Sequence, residues 1–309
     1  MLVTAPLVTV IIPTHNRAAL LGASIRSVLA QTYANLEVIV VDDASTDNTA
    51  DVVRGIDDSR LIYLRMPRNS RAAAARNAGL AKARGSLIAF NDDDDLWLVN
   101  KLELQVAQLM REPADVGLNV GGYIRVWPHH GDYVGGQHYF RSLDFSRGFI
   151  GDFSLIATPG WLVRKEAIDR AGGFDERMKC WDDWELAARL SRICRFSHCN
   201  APVFMQDRTR PMGGGMWNNQ SNFANDYRII IERHAAEWSG RSLARHRYKL
   251  AQMALRSDAN APETRSLLLQ VVRDNPLHLK ALGWLLISML GPAAMRWAAA
   301  TFVTGGAKS

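Results

Sequence analysis

Between Val8 and Met110 the chain repeats one pattern: an uninterrupted apolar run of strand length, a polar turn, then a helical segment. Val8-Thr9-Val10-Ile11-Ile12, Val38-Ile39-Val40-Val41 and Leu87-Ile88-Ala89-Phe90 do not alternate apolar with polar residues. A strand that is apolar on both faces must be covered on both, and strand–helix alternation supplies that cover. The pattern therefore predicts an α/β fold with a mostly parallel sheet between helical layers. Leu20, Leu21, Ile25, Val28 and Leu29 have helical spacing and predict a helix over 17–31. Further helices are expected through Val53, over 73–83 and over 100–110, with a third strand at 61–64. N-cap chemistry for the helix through Val53 lies in 45–48. In such sheets ligands bind at the carboxyl ends of the strands. Pro13 to Arg17, Asp42-Asp43 and Asp92 to Asp95 all fall at those ends, far apart in sequence but on one predicted edge.

The run Asp92-Asp93-Asp94-Asp95 follows the strand that ends at Phe90-Asn91. Adjacent carboxylates repel, and a buried unpaired charge is costly. A hard divalent cation, Mg²⁺ or Mn²⁺, relieves the repulsion, and such ions take one or two carboxylates plus the phosphate oxygens of a substrate. The cluster thus points to nucleotide-diphosphate chemistry. The plainer reading is a solvated acidic loop that caps the next helix.

With 309 residues, 48% of them apolar, the chain can bury one large domain and an appendage. The formal charge is +6, with the basic excess lying largely beyond Tyr227. This permits an anionic surface or substrate as partner. Basic stripes with interleaved aromatics are missing, which argues against nucleic acid. Cys180, Cys194 and Cys199 form neither a disulfide framework nor a zinc-ligand spacing, in keeping with a reducing cytosol. Met1 to Pro6 is too short for a signal peptide. The uncharged, apolar-rich stretch 281–295 falls short of the roughly 20 residues that span a bilayer.

From Val116 onward the pattern is mixed, with strands expected at 120–126, 153–163 and 203–205 and a helix at 184–193. The loop around Gly213-Gly214-Gly215 reads as a linker or a lid. Beyond Ser221 the chain reads as helical, with segments near 242–256, 261–273 and 276–290. The expected domains are 1–220, carrying the sheet, and 221–309, a helical C-terminal region.

Several motifs, in order, resemble family 2 glycosyltransferases. They are Val10-Ile11-Ile12-Pro13-Thr14-His15-Asn16-Arg17, Gln31-Thr32-Tyr33, Val40-Val41-Asp42-Asp43-Ala44-Ser45-Thr46-Asp47, Ala75-Arg76-Asn77-Ala78-Gly79, the acidic cluster, Gly172-Gly173-Phe174-Asp175-Glu176 and Asp182-Asp183-Trp184-Glu185-Leu186. The resemblance runs from Leu7 to Arg208 and leaves out the helical tail. It implies a GT-A (Rossmann-like) fold and an inverting, metal-assisted transfer from a nucleotide-diphosphate sugar, a UDP-sugar by preference. By the same resemblance Pro13 and His15 would line the base pocket and Asp43 would accept a hydrogen bond from the base. Arg76 would approach the nucleotide from the far side. Asp92-Asp93-Asp94 would be the DxD-type signature, with Asp93 at the ribose or the metal shell and Asp94 the direct ligand of Mn²⁺ or Mg²⁺. Asp183 would be the general base, and Asp182 would cap or position its helix.

The implied acceptor is a hydroxyl of a glycan or lipid-linked precursor in cell-envelope polysaccharide biosynthesis. The implied location is the cytoplasm or the inner face of the membrane, with peripheral contact through the C-terminal helices. An acceptor contact for Trp181 is a weaker expectation. The pattern departs from the family at Ala44, where Gly is common, at Ser70-Arg71-Ala72, which lacks a Gly, and at Asp182, where Glu is more frequent. No His is assigned to the metal. Two rivals are a sugar-nucleotide nucleotidylyltransferase, disfavoured because no glycine-rich phosphate loop follows the first strand, and a non-catalytic sugar-nucleotide binder.

Overall fold

The computed structural model describes residues 5–135, 157–209, 220–257 and 262–304. The chain divides into two compact units, one of Met1–Met178 with Asp182–Gly213, the other of Lys179–Trp181 with Gly214–Ser309.

The first unit is built on one sheet. Its strands are β1 (Val8–Thr14), β2 (Leu36–Asp42), β3 (Leu61–Arg65), β4 (Leu87–Phe90), β5 (Asp95–Trp97), β6 (Val116–Val126), β7 (Gly131–Val134), β8 (Trp161–Arg164) and β9 (Arg195–Asp207). The helices are α1 (Ala18–Leu29), α2 (Thr49–Arg54), α3 (Arg71–Lys82), α4 (Lys101–Leu109), α5 (Lys165–Ala171) and α6 (Asp182–Leu190). The sheet order is β3-β2-β1-β4-β8-β6-β9-β5, with β7 paired to β6. β1, β2 and β4 are buried along their whole lengths. Each buried Val or Ile side chain contributes about 1.5–3 kcal/mol, so these runs anchor the unit.

The sheet is mixed. β3, β2, β1 and β4 are parallel, the half in which strands and helices alternate along the sequence. β8 then runs antiparallel to both β4 and β6, and β5 antiparallel to β9. These pairings join segments far apart in the chain, which local periodicity does not encode. The expected strand at 153–163 is a strand only over Trp161–Arg164, because Pro159 sits in a tight 3₁₀ turn at Thr158–Gly160; 153–156 lie outside the described residues. The helix expected at 184–193 begins at Asp182. The strand expected at 203–205 extends over Arg195–Asp207, with its register against β6 shifting near Gly121 and Gly122. The Gly213-Gly214-Gly215 loop also lies outside the described residues.

α3 lies close on β1. A Cβ on Gly79 would come within 2.6 Å of Ile11 Cγ2, so only glycine permits this approach. Between α4 and the sheet runs a buried polar chain. Lys101 donates to Gln105 and to the Trp161 carbonyl, and Gln105 donates to Asn119 and to the Gly160 carbonyl. Burial pushes the Lys101 amine down to about 7.

The second unit holds α7 (Gln220–His234), α8 (Gly240–Ser257), α9 (Pro262–Asp274), α10 (Leu279–Met289) and α11 (Pro292–Ala299), ending in a π turn at Ala300–Thr304. Its core includes Tyr227, Ile230, Leu250, Leu268 and Val271. The Tyr227 hydroxyl and His246 Nδ1 are 2.9 Å apart, and burial pushes the His246 imidazole down to about 3. Asp226, itself buried, accepts the backbone N–H of Lys179 and Cys180, each at 2.6 Å. Among the described residues no helix is long and apolar enough to cross a membrane.

Candidate active site

The carboxyl ends of β1, β2 and β4 lie side by side in the parallel half of the sheet, as the registers Thr14↔Asp42 and Ile11↔Phe90 require. The residues singled out from sequence gather there. Pro13 is in β1 opposite Val41. His15 follows, its Nδ1 2.8 Å from the Asp43 carbonyl oxygen. The loops after β1 and β2 are pinned together. Asn16 N–H donates to Ser45 Oγ, and Asn16 Oδ1 accepts the N–H of Thr46. Asp47 accepts N–H groups from Ala18 and Thr49, while the N-cap is Asn48, whose side chain makes no cap hydrogen bond, and the helix starts at Thr49.

Asp43 is buried, and its two oxygens accept the N–H of Ser70 and of Arg71, each at 2.7 Å. Its carboxylate thus holds the loop that opens α3, and any bound base would share an oxygen already engaged. Asp42 is fully buried, accepting from Ser45 N–H at 2.7 Å and from the Tyr63 hydroxyl at 2.5 Å. It shapes the turn after β2.

The acidic run is held from below. Asn91 donates to Ser24 Oγ and to the Asp95 carbonyl, and Ser24 donates to the Asp92 carbonyl. Asp93 accepts from Thr14 Oγ1 at 2.8 Å and from Arg17 at 3.0 Å, and the same Arg17 nitrogen reaches Asp94 at 2.7 Å. Arg17, given no role from sequence, is the cation that bridges two of the four carboxylates. The signal was present, since it is the basic residue of the loop that follows β1. The Asp94 side chain is 47% exposed, against 8% for Asp93. Burial, then crowding by neighbouring carboxylates, lifts Asp93 to about 7 despite Arg17. Asp92 and Asp95 are lifted by the same causes, and one buried oxygen of Asp95 has no hydrogen-bond partner among the described residues.

Arg76, buried on α3, donates to Asp92 at 2.8 Å and to Asp182 at 2.6 Å. It thereby joins the acidic cluster to the start of α6. Asp182 is therefore an ion-pair partner of Arg76 and more than a helix cap. The Arg76 guanidinium lies 5.5 Å from the centre of the Phe174 ring, over its face. Asn77, the next residue, accepts from Phe174 N–H and donates to the Phe174 carbonyl. Gly173 has φ +72°, and a Cβ there would sit 2.7 Å from Asn77 Oδ1. The Ala-Arg-Asn and Gly-Gly-Phe motifs are thus one packed assembly.

Asp183 is partly open to solvent and accepts the N–H of Trp184 at 2.7 Å. Desolvation, then the neighbouring Asp182, lifts its carboxyl to about 7, against the pull of Arg76. A carboxylate with that affinity for protons suits a general base at neutral pH. Strain collects nearby. Among the described residues the non-glycine positions with positive φ are Asn16, Ala44, Arg71 and Trp181. Asn16 and Ala44 lie on loops at the carboxyl edge, Arg71 is the first residue of α3, and Trp181 immediately precedes Asp182. Such outliers cluster at functional sites.

The donor set fits a hard cation. It is all carboxylate oxygen, its charges are crowded, and Asp94 reaches solvent. Among the described residues no group of three or more His, Cys, Asp or Glu is arranged to hold a metal ion by itself. Mg²⁺ and Mn²⁺ commonly use one or two carboxylates and complete their shells with substrate phosphate and water.

An open α/β sheet with an acidic run at its β4 edge and an Arg-linked carboxylate pair opposite has the frame of a GT-A glycosyltransferase. The family model described as Glycosyl transferase family 2 matches residues 9–169, more than half of the chain. The chain belongs to this family, and the nucleotidylyltransferase alternative is set aside. It is 44% identical over 117 residues to the UDP-Glc:alpha-D-GlcNAc-diphosphoundecaprenol beta-1,3-glucosyltransferase WfgD of Escherichia coli, 38% of this chain and 46% of that protein. The chain thus spans less than half the length of that relative. In fold it is similar to S. aureus TarS 1-349 in complex with UDP-GlcNAc, with TM-score 0.68, 17% identity and coverage of 96% of this chain and 92% of that one. It is also similar to the mannosyltransferase PcManGT of Pyrobaculum calidifontis in complex with GDP-Man and Mn2+, with TM-score 0.59, 21% identity and coverage of 99% and 89%.

Proposed function

We propose that this chain transfers a sugar, with inversion, from a UDP-sugar to a hydroxyl of a lipid-linked glycan precursor. The chemistry is assigned to residues 1–220, with 221–309 a separate helical region. The observation that carries the reading is the Arg76 bridge between Asp92 and Asp182, which ties the acidic run to the segment bearing Asp183. Pro13, His15 and Asp43 bind the nucleoside end of the donor, and Arg76, Asp92 and Asp93 shape the diphosphate end. Asp94, the most open carboxylate of the three, holds Mn²⁺ or Mg²⁺, with Asp93 beside it. When bound, the cation offsets the negative charge that builds on the departing diphosphate.

Asp183 takes the proton of the acceptor hydroxyl as that oxygen attacks the anomeric carbon, which carries oxocarbenium character. One base and one displacement on the face opposite the leaving group invert the configuration. Arg76 holds Asp182 as an ion pair, so the proton-accepting role falls to Asp183. A lipid-diphosphate acceptor is supported by the substrate named for the E. coli relative. It places the work at the cytoplasmic face of a membrane, in peripheral contact.

Calorimetric titration of UDP and of GDP, with and without Mn²⁺, tests the donor site on wild type and Asp94→Ala. The expected result is Mn²⁺-dependent UDP binding that Asp94→Ala abolishes. A preference for GDP would keep the enzyme class and overturn the UDP assignment. Binding of neither nucleotide would overturn the roles of Asp43 and Asp94.

A further inference from the structure

The charge of this chain is divided unevenly. Residues 221–309 contain twelve Lys and Arg against six Asp and Glu, so they account for the whole +6 while residues 1–220 are neutral. The imbalance sharpens toward the end. From Asn275 to Ser309 there is no Asp or Glu, and Lys280, Arg296 and Lys308 are the cations.

The same segment exposes apolar surface. Half of the large hydrophobic side chains exposed among the described residues fall between Leu277 and Phe302. On α10, Leu279 and Leu286 are 78% and 65% exposed, and Leu290, which caps its end with helical backbone angles, is 77% exposed. They are seven and four residues apart, which puts them on one helix face. Met289 flanks that face at 74% exposed. Trp297 on α11 and Phe302 in the turn after it are 66% and 67% exposed and pack edge to face, with ring centres 6.0 Å apart. Lys280 and Arg296 are exposed on the same two helices. Elsewhere α10 and α11 are seated in their own unit through Ala281, Trp284, Met295 and Ala298, so the exposed face is not simply an unfolded end.

We propose that α10, α11 and the turn after them form a docking surface for an anionic lipid bilayer. Leu279, Leu286, Leu290, Trp297 and Phe302 enter the interface while Lys280 and Arg296 meet the headgroups. Charge complementarity selects this occupant. A second copy of the chain would bring the same cations together with no acidic residue of the segment to balance them. Apolar depth with cationic flanks is the design of helices that lie in a membrane surface. None of these helices is long and apolar enough to cross one. The inference deepens the proposed membrane-face reading by naming the surface and the lipid charge.

The test is co-sedimentation of the full chain with vesicles, phosphatidylcholine alone or with phosphatidylglycerol. Wild type is expected to bind the anionic vesicles, to bind neutral ones far less, and to release with rising salt. Lys280→Gln or Arg296→Gln should each weaken binding about fivefold, and Leu286→Ser with Trp297→Ser by about tenfold or more. The altered side chains are exposed, and circular dichroism checks that each variant is folded. Equal binding to neutral and anionic vesicles, or binding to neither, would overturn the proposal. So would a wild-type dimer in sedimentation velocity that Leu286→Ser/Trp297→Ser makes monomeric, which would give the face to a second copy. UDP titration of the same double variant separates this proposal from the enzymatic one, because donor binding is expected unchanged whether or not vesicles bind.

Discussion

Asp183 and Asp93 hold protons more tightly than free carboxylic acids do, each lifted to about 7 by burial and neighbouring acids. A base must be ionised to work. Transfer is therefore expected to rise with pH up to about 7 and then level off, measured as kcat/KM against pH with a UDP-sugar and a soluble acceptor. Asp183→Asn is expected to cost 10²–10⁴-fold in kcat, on the order found for a lost general base, with UDP affinity unchanged. The same residue carries a stability signature. Its folded carboxyl binds a proton that the unfolded one has lost between pH ~4 and ~7, so its contribution fades as pH rises through that window. Asp183→Asn should therefore melt above wild type at pH 8, with the gap narrowing as pH falls and closing near pH 4. A gap independent of pH would remove the elevated carboxyl from the account. Ala44 is a second residue-scale case. At φ +58° it occupies the left-handed region where a Cβ is strained. Ala44→Gly is expected to stabilise by about 0.5–1 kcal/mol, read as a raised Tm.

At the scale of elements, two buried charges show what holds helices in place. On α7, Asp226 satisfies the Lys179 and Cys180 N–H groups. Asp226→Ala leaves the buried Cys180 N–H and the part-buried Lys179 N–H short of that partner and should cost roughly 1–3 kcal/mol, in urea unfolding. Asp226→Asn, which keeps an acceptor, should recover part of it. On α4, Lys101 is buried with its amine pushed down to about 7. Between pH ~7 and ~10 the unfolded lysine binds a proton that the folded one does not, so wild-type stability gains as pH rises across that range. Lys101→Met should lack this gain, and parallel stability–pH curves for the two proteins would contradict it. α3 was legible as a helix from its alanines. Its tight seat on β1 through Gly79 and its loop held by Asp43 were not, since both depend on partners elsewhere in the fold.

For the molecule as a whole, ligand and fold are linked. A donor that binds only the folded state stabilises it by RT ln(1 + [L]/Kd), about 2.7 kcal/mol at a hundredfold excess over Kd. UDP with Mn²⁺ together is thus expected to raise Tm where either alone does little, and Asp94→Ala should erase the synergy. The parallel half of the sheet carries the loops of Pro13, His15, Asp43 and the acidic run, and the long-range antiparallel pairings complete it. The motif order along the chain conveyed which loops meet. The ion pairs within the meeting point were a different matter. The partner of Arg76 in α6 lies 106 residues away and that of Arg17 lies 76 and 77 away.

What the sequence alone determined was the strand–helix alternation, the four parallel strands, the carboxyl-end placement of the acidic run and the helical character of the C-terminal region. Each of these rests on local periodicity and on the cost of leaving apolar runs uncovered, which neighbouring residues dictate. Only the tertiary structure decided that Arg17 bridges Asp93 and Asp94, that Arg76 joins Asp92 to Asp182, and that Asp43 is engaged by backbone N–H groups. It also decided that Lys101 is buried and that the apolar face of α10 stays uncovered. A charge finds its partner, and a helix face its cover, through contacts between segments distant in the chain, and no spacing along the sequence records those.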